Sequence, residues 1–355
     1  MKRDHANLDA LRATAVLLVL ASHLVMVTGH LDDPMMAAFG VRQLAQLGVL
    51  IFFIHTSLVL MMSLDRLAGQ GREVTRFYIR RAFRIYPLAM LTVIAAVVFE
   101  IPPHFEPVFT KPTAGTLWQN LLLVQNLFQS PDIIGPMWSL PLEVQMYLVL
   151  PFLYVAASRV RSHLGAMALI VSGFIVWYVN SHGGRLFGYQ PLLAYAPWFF
   201  MGITAFALYQ FVTPRWSAWL FGACLLLLVI SPSLTHRFMG DDYRVGWVSW
   251  ACGVAFALAL PHFLEVKSVL IGRWTHAIAT YSYGIYLSHV PIMWFAFQQL
   301  SEHSRFVQVS VFAVLIGSVP PLLYYAVERP LIRLGGQISD RLAQPQRQAA
   351  STSLA

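Results

Sequence analysis

The chain has 355 residues, of which 57% are hydrophobic and only 11% are charged, and its mean hydropathy is +0.62. Because soluble globular proteins carry about 25% charged residues, this composition excludes a soluble enzyme and indicates an integral membrane protein. The net charge of +8 is accompanied by no nucleic-acid-binding motif, so we expect no nucleic acid partner.

The predicted elements are apolar segments close to the roughly 20 residues that a helix needs to cross a bilayer. They lie at 8–28, 46–64, 85–101, 137–157, 164–180, 191–211, 216–232, 245–263, 281–300 and 306–327. A further apolar piece at 117–128 is short and contains Gln and Asn side chains, which predicts a re-entrant or interfacial segment. The sequence therefore predicts an all-α, polytopic membrane protein of about ten transmembrane helices.

The charged residues between the apolar segments predict the orientation of the chain. With the N-terminus in the cytoplasm, most of the 24 Lys and Arg residues fall on the inner side, and the positive-inside rule then places both termini in the cytoplasm. Charges interrupt the first apolar segment and no small-residue cleavage site follows it, so we expect it to remain as a helix. We predict one membrane domain at 1–335 and a disordered cytoplasmic tail at 336–355.

The first apolar segment carries three ionisable side chains, Asp9, Arg12 and His23. In an α-helix, Arg12 and His23 lie on one face and about 16 Å apart along the axis. Asp9 precedes Arg12 by three positions and can pair with it. Ionisable side chains within membrane helices are costly and commonly functional. The alternative, a helix-end ion pair and a histidine that merely bonds a neighbouring helix, stays open.

Four arginines, at 76, 80, 81 and 84, precede the third apolar segment. Arg81 and Arg84 lie one helical turn apart and can converge on one anion. Arginines also flank the cytoplasmic ends of many membrane helices, and this simpler interpretation suffices for the cluster taken alone. The density of the cluster, with Arg12 expected at the same depth, favours a cationic entrance suited to the phosphates of a cytosolic cofactor.

The apolar segment at 137–157 opens with Trp138, Ser139 and Glu143. Ser139 is predicted to cap the helix. Glu143 is expected about 9 Å into the membrane from the outer side, and His23 about 8 Å from the same side. A histidine and a carboxylate at one depth are what general-base activation of a hydroxyl group requires. No Cys or His grouping has the spacing of a metal site.

Weaker candidates follow near the C-terminal end of the chain. Tyr283 and His289 lie in the segment at 281–300, where a histidine is more often a hydrogen-bonded packing residue than a catalyst. The tripeptide Glu328-Arg329-Pro330 closes the last apolar segment and is interpreted as a helix end.

Six motifs occur in one order across residues 5–335. They are Asp9-x-x-Arg12-x10-His23, Gly48-Val49-x-x-Phe52-Phe53, Arg81-x-x-Arg84-x-Tyr86-Pro87, Trp138-Ser139-Leu140-x-x-Glu143-x-Gln145-x-Tyr147, Tyr283-x-x-Tyr286-Leu287-x-His289-x-Pro291 and Glu328-Arg329-Pro330. In these motifs the chain resembles the acyltransferase-3 family, bacterial membrane-bound acyltransferases that modify polysaccharides and other hydroxyl-bearing acceptors. It departs from many members at Leu50, in place of Asp, and at Val144, in place of a second Glu.

The resemblance implies an O-acyltransferase of the bacterial inner membrane. Its donor would be acyl-CoA, usually acetyl-CoA, and its acceptor a hydroxyl group of a carbohydrate such as an envelope or exported polysaccharide. His23 and Glu143 are the implied catalytic residues. The donor-binding residues would be Arg12, Arg81, Arg84 and Tyr86, and the supporting residues Asp9, Trp138, Ser139, Tyr283 and His289.

No SGNH-type hydrolase domain is expected after the last span, so the chemistry would finish within the membrane or with envelope-polysaccharide biosynthesis proteins.

Two other functions stay open beside acyl transfer. A proton-coupled transporter would also use membrane-embedded His, Glu and Arg, but the chain lacks the inverted repeats of many transporters. A non-catalytic scaffold of a polysaccharide export complex would leave His23 without a purpose.

Overall fold

The computed structural model describes residues 5–29, 41–103, 108–182, 191–239 and 247–343. Helices dominate these ranges, and a single helical turn at Pro191–Ala194 precedes α7. In chain order the helices are α1 Ala6–Val27, α2 Val41–Leu67, α3 Glu73–Val98, α4 Ala114–Leu121, α5 Ser139–Ala157, α6 His163–His182, α7 Ala196–Tyr209, α8 Ala218–Met239, α9 Trp247–Ala259, α10 Val269–Met293, α11 Arg305–Leu323 and α12 Arg329–Arg341.

The length and apolar character of the helices fit a multi-pass membrane protein. Among the described residues, six helical segments are long and apolar enough to cross a membrane, and α7, α8 and α9 belong to a shorter apolar group. Each of the ten predicted segments coincides with one of these helices or with α10. The prediction of an all-α, polytopic membrane protein is therefore confirmed.

The helix ends differ from the prediction at several places. Helix α10 begins at Val269 rather than at residue 281. Helix α3 begins at Glu73 rather than at residue 85, because a hydropathy pattern marks the apolar part of a helix and misses a charged first half. Helix α11 continues through a π-helical turn, Tyr324–Glu328, into α12. Pro330 lies in the first turn of α12, directly after this π-helical turn.

The tripeptide Glu328-Arg329-Pro330 therefore does not end the last helix, contrary to the prediction. The predicted disordered tail begins at 336, yet the chain is helical as far as Arg341. Residues 344–355 of that tail lie outside the described residues, and the division into two domains stays a prediction.

The segment predicted at 117–128 forms a short helix, α4, followed by a 3₁₀ turn at Gln125–Leu127. The helix has eight residues, far fewer than the roughly 20 that a crossing requires. The segment is thus no full crossing, as predicted. Its polar side chains are folded inward: Asn120 and Gln125 are buried, whereas Trp118 and Phe128 are exposed.

The chain divides into two compact units, Met1–Val59 with Leu153–Ser282, and Leu60–Phe152 with Tyr283–Ala355. Helices of the first unit approach closely at glycines. A Cβ atom on Gly48 of α2 would lie 2.6 Å from the Ala15 carbonyl oxygen of α1. A Cβ atom on Gly202 of α7 would lie 2.1 Å from the Ile54 carbonyl oxygen of α2. Small residues at such contacts allow two helix backbones to pack, as is usual in membrane proteins.

In the second unit, α12 packs along α3. The two helices are closest where Gly335 meets Phe83, because a Cβ atom on Gly335 would lie 2.6 Å from the Phe83 Cβ atom. Gly284 of α10 similarly approaches Pro320 of α11. These contacts position the arginines of α3 and the polar residues of α10.

Candidate active site

The first unit holds the N-terminal end of α1 by hydrogen bonds to a loop. Asn7 is buried, and its side chain donates to the Leu264 carbonyl oxygen at 3.1 Å and accepts from the Val266 N–H at 3.1 Å. The Asn7 N–H donates to the Glu265 carboxylate at 2.8 Å. Three bonds on one residue fix the rotation of the helix that carries Arg12.

Arg12 and His23 lie on one continuous helix, and both side chains are half-buried. The Asp9 carboxylate lies 2.8 Å from Nδ1 of His276 on α10. The sequence did not predict this contact. Beside His23, the buried Ser22 hydroxyl donates to the Val41 carbonyl oxygen at 2.6 Å. The first unit therefore anchors α1 near both predicted functional side chains.

In the second unit, the start of α5 is built around a chain of two hydroxyl groups. The Tyr286 hydroxyl donates to the Pro136 carbonyl oxygen, and the Ser139 hydroxyl lies 2.8 Å from that of Tyr286. Since the single Tyr286 proton is used on Pro136, Ser139 is the donor to Tyr286. Trp138 is half-buried in the preceding 3₁₀ turn.

Ser139 has helical dihedral angles, φ −83° and ψ −23°. A helix N-cap residue adopts extended dihedral angles instead. The prediction that Ser139 caps the helix is therefore wrong, and its hydroxyl connects α5 to α10. The extra N-terminal turn, Gly135–Trp138, explains the difference because the helical path begins before Ser139.

Glu143 lies on the next turn of α5, where it is half-buried. Its carboxylate accepts a hydrogen bond from the hydroxyl of Tyr147, one further turn along the same helix. The guanidinium of Arg81 on α3 interacts electrostatically with both Glu143 and Tyr147. The second unit thus combines a cation, a carboxylate and a hydroxyl donor.

The four arginines of α3 fall into two sets according to their partners. Arg76 and Arg80 both bond to α12: the Asp340 carboxylate lies 3.2 Å from Arg76 and 2.7 Å from Arg80. The Ser339 hydroxyl accepts a further bond from Arg80 at 2.9 Å. Half of the predicted cationic entrance is therefore engaged in holding two helices together.

Arg81 and Arg84 form the second set. Arg84 lies 3.8 Å from the carboxylate of Glu328, whose side chain is 0% exposed. At this distance the contact is an ion pair rather than a close hydrogen bond. The buried Nε of Arg81 has no hydrogen-bond partner among the described residues, and its guanidinium lies 6.0 Å from the centroid of the Phe77 ring.

Three other predicted residues contact backbone carbonyl groups. The Tyr283 hydroxyl donates to Ile85 of α3 at 2.7 Å, and the Tyr86 hydroxyl donates to Leu122 at 3.3 Å. His289 is 1% exposed, and its Nδ1 lies 2.7 Å from the Tyr286 carbonyl oxygen. Because a carbonyl oxygen only accepts, the His289 proton is on Nδ1 in the neutral ring.

Sequence reasoning gave no role to Tyr147, Tyr286 or Glu328 beyond their place in a motif. The spacing of Glu143 and Tyr147 is a readable signal, because residues four apart meet on a helix. The pairing of Glu328 with Arg84 joins distant segments, and no local pattern indicates it. The described residues contain no cluster of His, Cys, Asp and Glu that could hold a metal ion.

The apolar helices and their embedded His, Arg and Glu side chains define a multi-pass membrane protein with polar sites among its helices. A family model described as "Acyltransferase domain" matches residues 5–325. This match covers most of the chain, and the chain belongs to the acyltransferase-3 family, as its motifs predicted. No solved structure matches it at a significant level.

Several curated proteins are similar to the chain. The acyltransferase MdmB of Streptomyces mycarofaciens is 33% identical over 159 residues, which are 42% of this chain and 38% of that protein. The peptidoglycan O-acetyltransferase OatA of Listeria monocytogenes is 24% identical over 81% of this chain and 49% of its own length. Nodulation protein 10 of Rhizobium leguminosarum is 24% identical over 81% of this chain and 82% of its own. The chain thus matches less than half the length of the first two.

Proposed function

We propose that this protein is an O-acyltransferase that moves an acyl group, in the first instance acetyl, from acyl-CoA to a hydroxyl group of a carbohydrate acceptor. The bacterial inner membrane, with both termini in the cytoplasm, is its proposed location. An exported or envelope polysaccharide is the proposed acceptor, which agrees with the name of the peptidoglycan O-acetyltransferase among its relatives. Envelope-polysaccharide biosynthesis proteins are its proposed partners.

The donor part of this proposal rests on the buried Nε atom of Arg81. Its neighbours Arg76 and Arg80 bond to α12, whereas the buried Nε of Arg81 has no hydrogen-bond partner in the described ranges. A buried guanidinium N–H without a partner is costly, and a phosphate oxygen is a good acceptor for it. We assign Arg81, with Arg84 and Arg12, to the phosphates of the CoA donor and Tyr86 to the same role.

The proposed chemistry is acyl transfer from a thioester to an oxygen atom. His23 accepts the proton of the acceptor hydroxyl, the oxygen attacks the thioester carbon, and the C–O bond forms as the C–S bond breaks. The proton on His23 then passes to the departing sulfur, so that an ester and free CoA result. Glu143 is the second proposed catalytic residue, and Tyr147 holds its carboxylate by a hydrogen bond.

The test is release of CoA from labelled acetyl-CoA by the purified, lipid-reconstituted protein, with transfer of the label to an added oligosaccharide. His23→Ala should lower the transfer rate by about 10² to 10⁴-fold, the usual contribution of a general base. His303→Ala, in an exposed loop, is the control and should keep the wild-type rate. Transfer at the wild-type rate by a folded His23→Ala variant would refute the assignment.

Charge reversal tests the donor assignment separately. Arg81→Glu should raise the KM for acetyl-CoA at least tenfold without changing the KM for the acceptor. Arg333→Glu makes the same charge change at an exposed position of α12 and should leave both constants at the wild-type values. Equal donor KM values in the two variants would show that Arg81 does not bind the donor.

A further inference from the structure

Helix α12 lies beyond residues 5–325, the part of the chain that the family model matches. We propose that α12 is a clamp that positions the donor-binding arginines of α3, so that the donor site extends past the family domain. This inference rests on the proposed function. It assigns positioning roles to Asp340, Ser339 and Gly335.

The C-terminal end of α12 holds the first half of α3. The side chain of Arg76 is only 3% exposed, and its Nε donates to the Ser339 carbonyl oxygen at 3.1 Å. Arg80, one turn later, bonds to the Ser339 hydroxyl at 2.9 Å and to Asp340 at 2.7 Å. One carboxylate therefore pairs with two arginines, and a buried arginine such as Arg76 needs partners of this kind.

The N-terminal end of α12 holds the next turn of α3. Glu328 directly precedes α12, and its buried carboxylate faces Arg84 at 3.8 Å. Arg76 and Arg84 are about 12 Å apart along α3. The two helices thus run antiparallel, with an ion pair near each end of the contact.

In the middle of the contact between α12 and α3, Gly335 packs against Phe83 and leaves no space for a side chain. A Cβ atom on Gly335 would lie 2.6 Å from the Cβ and 2.9 Å from the Cγ of Phe83. These atoms lie close to the α3 backbone, so a rotation of the phenyl ring cannot relieve the overlap. A Cβ atom on Gly336, the next residue, would meet nothing within 4 Å.

Along α3, the residues that α12 holds are interleaved with the residues that we assign to the donor, and Arg84 belongs to both sets because it also faces Glu328. At 100° per residue, Arg76, Arg80 and Phe83 share one helix face. Arg84 lies on the flank of that face, and Arg81 points further round the helix. Any displacement of α12 therefore changes the rotation of α3 and the direction in which Arg81 and Arg84 point. We expect it to weaken donor binding and to leave the proton transfer at His23 unchanged.

Substitutions at two adjacent glycines distinguish loss of the contact between α12 and α3 from a general effect of replacing a glycine in α12. Gly335→Ala should raise the KM for acetyl-CoA at least tenfold, while kcat per folded molecule and the acceptor KM stay within twofold of wild type. Gly336→Ala adds the same methyl group to the same helix and should leave all three values within twofold. Hydrogen exchange at residues 73–80 should be faster in Gly335→Ala alone.

A second variant keeps the test decisive where Gly335→Ala fails to fold. Asp340 is 61% exposed, so Asp340→Ala should fold and show the same rise in donor KM, and Asp340→Glu should restore part of the affinity. Faster exchange in α3 with an unchanged donor KM would overturn the clamp as a device of the donor site. A wild-type protein that releases no CoA would instead overturn the proposed function, while the exchange data would still report whether α12 holds α3.

Discussion

Asn120 is a side chain that holds the 114–133 segment together through three hydrogen bonds. It is 0% exposed, and its Nδ2 donates to the carbonyl oxygens of Thr116 at 2.9 Å and Pro131 at 3.0 Å. Its Oδ1 accepts from the Ile133 N–H at 3.0 Å. One amide group therefore joins α4 to the chain that leads into α5, and Asn120→Ala removes all three bonds.

The size of the effect follows from these bonds. The two bonds from Nδ2 contribute about 1 kcal/mol each net, and loss of the third leaves the buried Ile133 N–H without an acceptor, which costs about 1–3 kcal/mol. Alanine recovers part of this loss through its higher helix propensity, by roughly 0.5 kcal/mol. We expect the free energy of opening this segment to fall by about 3 kcal/mol, which corresponds to roughly 100-fold.

Hydrogen exchange measures this opening directly, since the segment can unfold locally while the rest stays native. The amide of Ile133 and those of α4 should exchange about 100-fold faster in Asn120→Ala, given the roughly 1.4 kcal/mol per tenfold change. Gln119→Ala is the matched control, because Gln119 accepts one bond from Ser130 and its loss should give roughly a fivefold change. An acceleration below tenfold, or equal to that of the control, would refute the reasoning.

Two further predictions concern packing within each unit. Gly202→Ala should strongly lower the thermal midpoint in a light-scattering scan. Its new Cβ atom would lie 2.1 Å from the Ile54 carbonyl oxygen, and overpacking costs about 1–3 kcal/mol or more. The control is Gly222→Ala, whose Cβ atom would meet nothing within 4 Å and which should unfold at or above the wild-type temperature in the same scan. Tyr283→Phe removes the hydroxyl bond to Ile85 at 2.7 Å and should destabilise the protein by about 1 kcal/mol, and a midpoint equal to wild type would contradict that bond.

The apolar segments predicted the helices because a bilayer-crossing helix needs a long apolar run, and such runs are visible in a single sequence. The ends were less predictable. Helix α3 begins at Glu73, since Arg76 and Arg80 find partners on α12 that make a charged half-helix stable. No local sequence pattern predicts those partners, because Ser339 and Asp340 lie more than 250 positions away in the chain.

The candidate site was predictable as a set of residue types and not as a set of contacts. The motif around Glu143 placed Tyr147 one helical turn away, and the structure joins the two by a hydrogen bond. The same motif contains Gln145, whose amide donates to Asn126 at 2.9 Å. This contact ties α5 to the segment at 117–128, and a single sequence could not indicate it because the partner lies in a separate element.

The division of the α3 arginines shows how one helix can serve both stability and ligand binding. Arginine is always charged and is poorly tolerated among apolar helices without an anion. Asp340 supplies that anion to Arg76 and Arg80, so these two contribute to packing whether or not a ligand is bound. The buried Nε of Arg81 has no hydrogen-bond acceptor within the described ranges, even though the guanidinium interacts electrostatically with Glu143, so a phosphate oxygen of the donor would supply that acceptor. We therefore expect donor binding to stabilise the protein, and a thermal midpoint that rises with acetyl-CoA in wild type should not rise in Arg81→Glu.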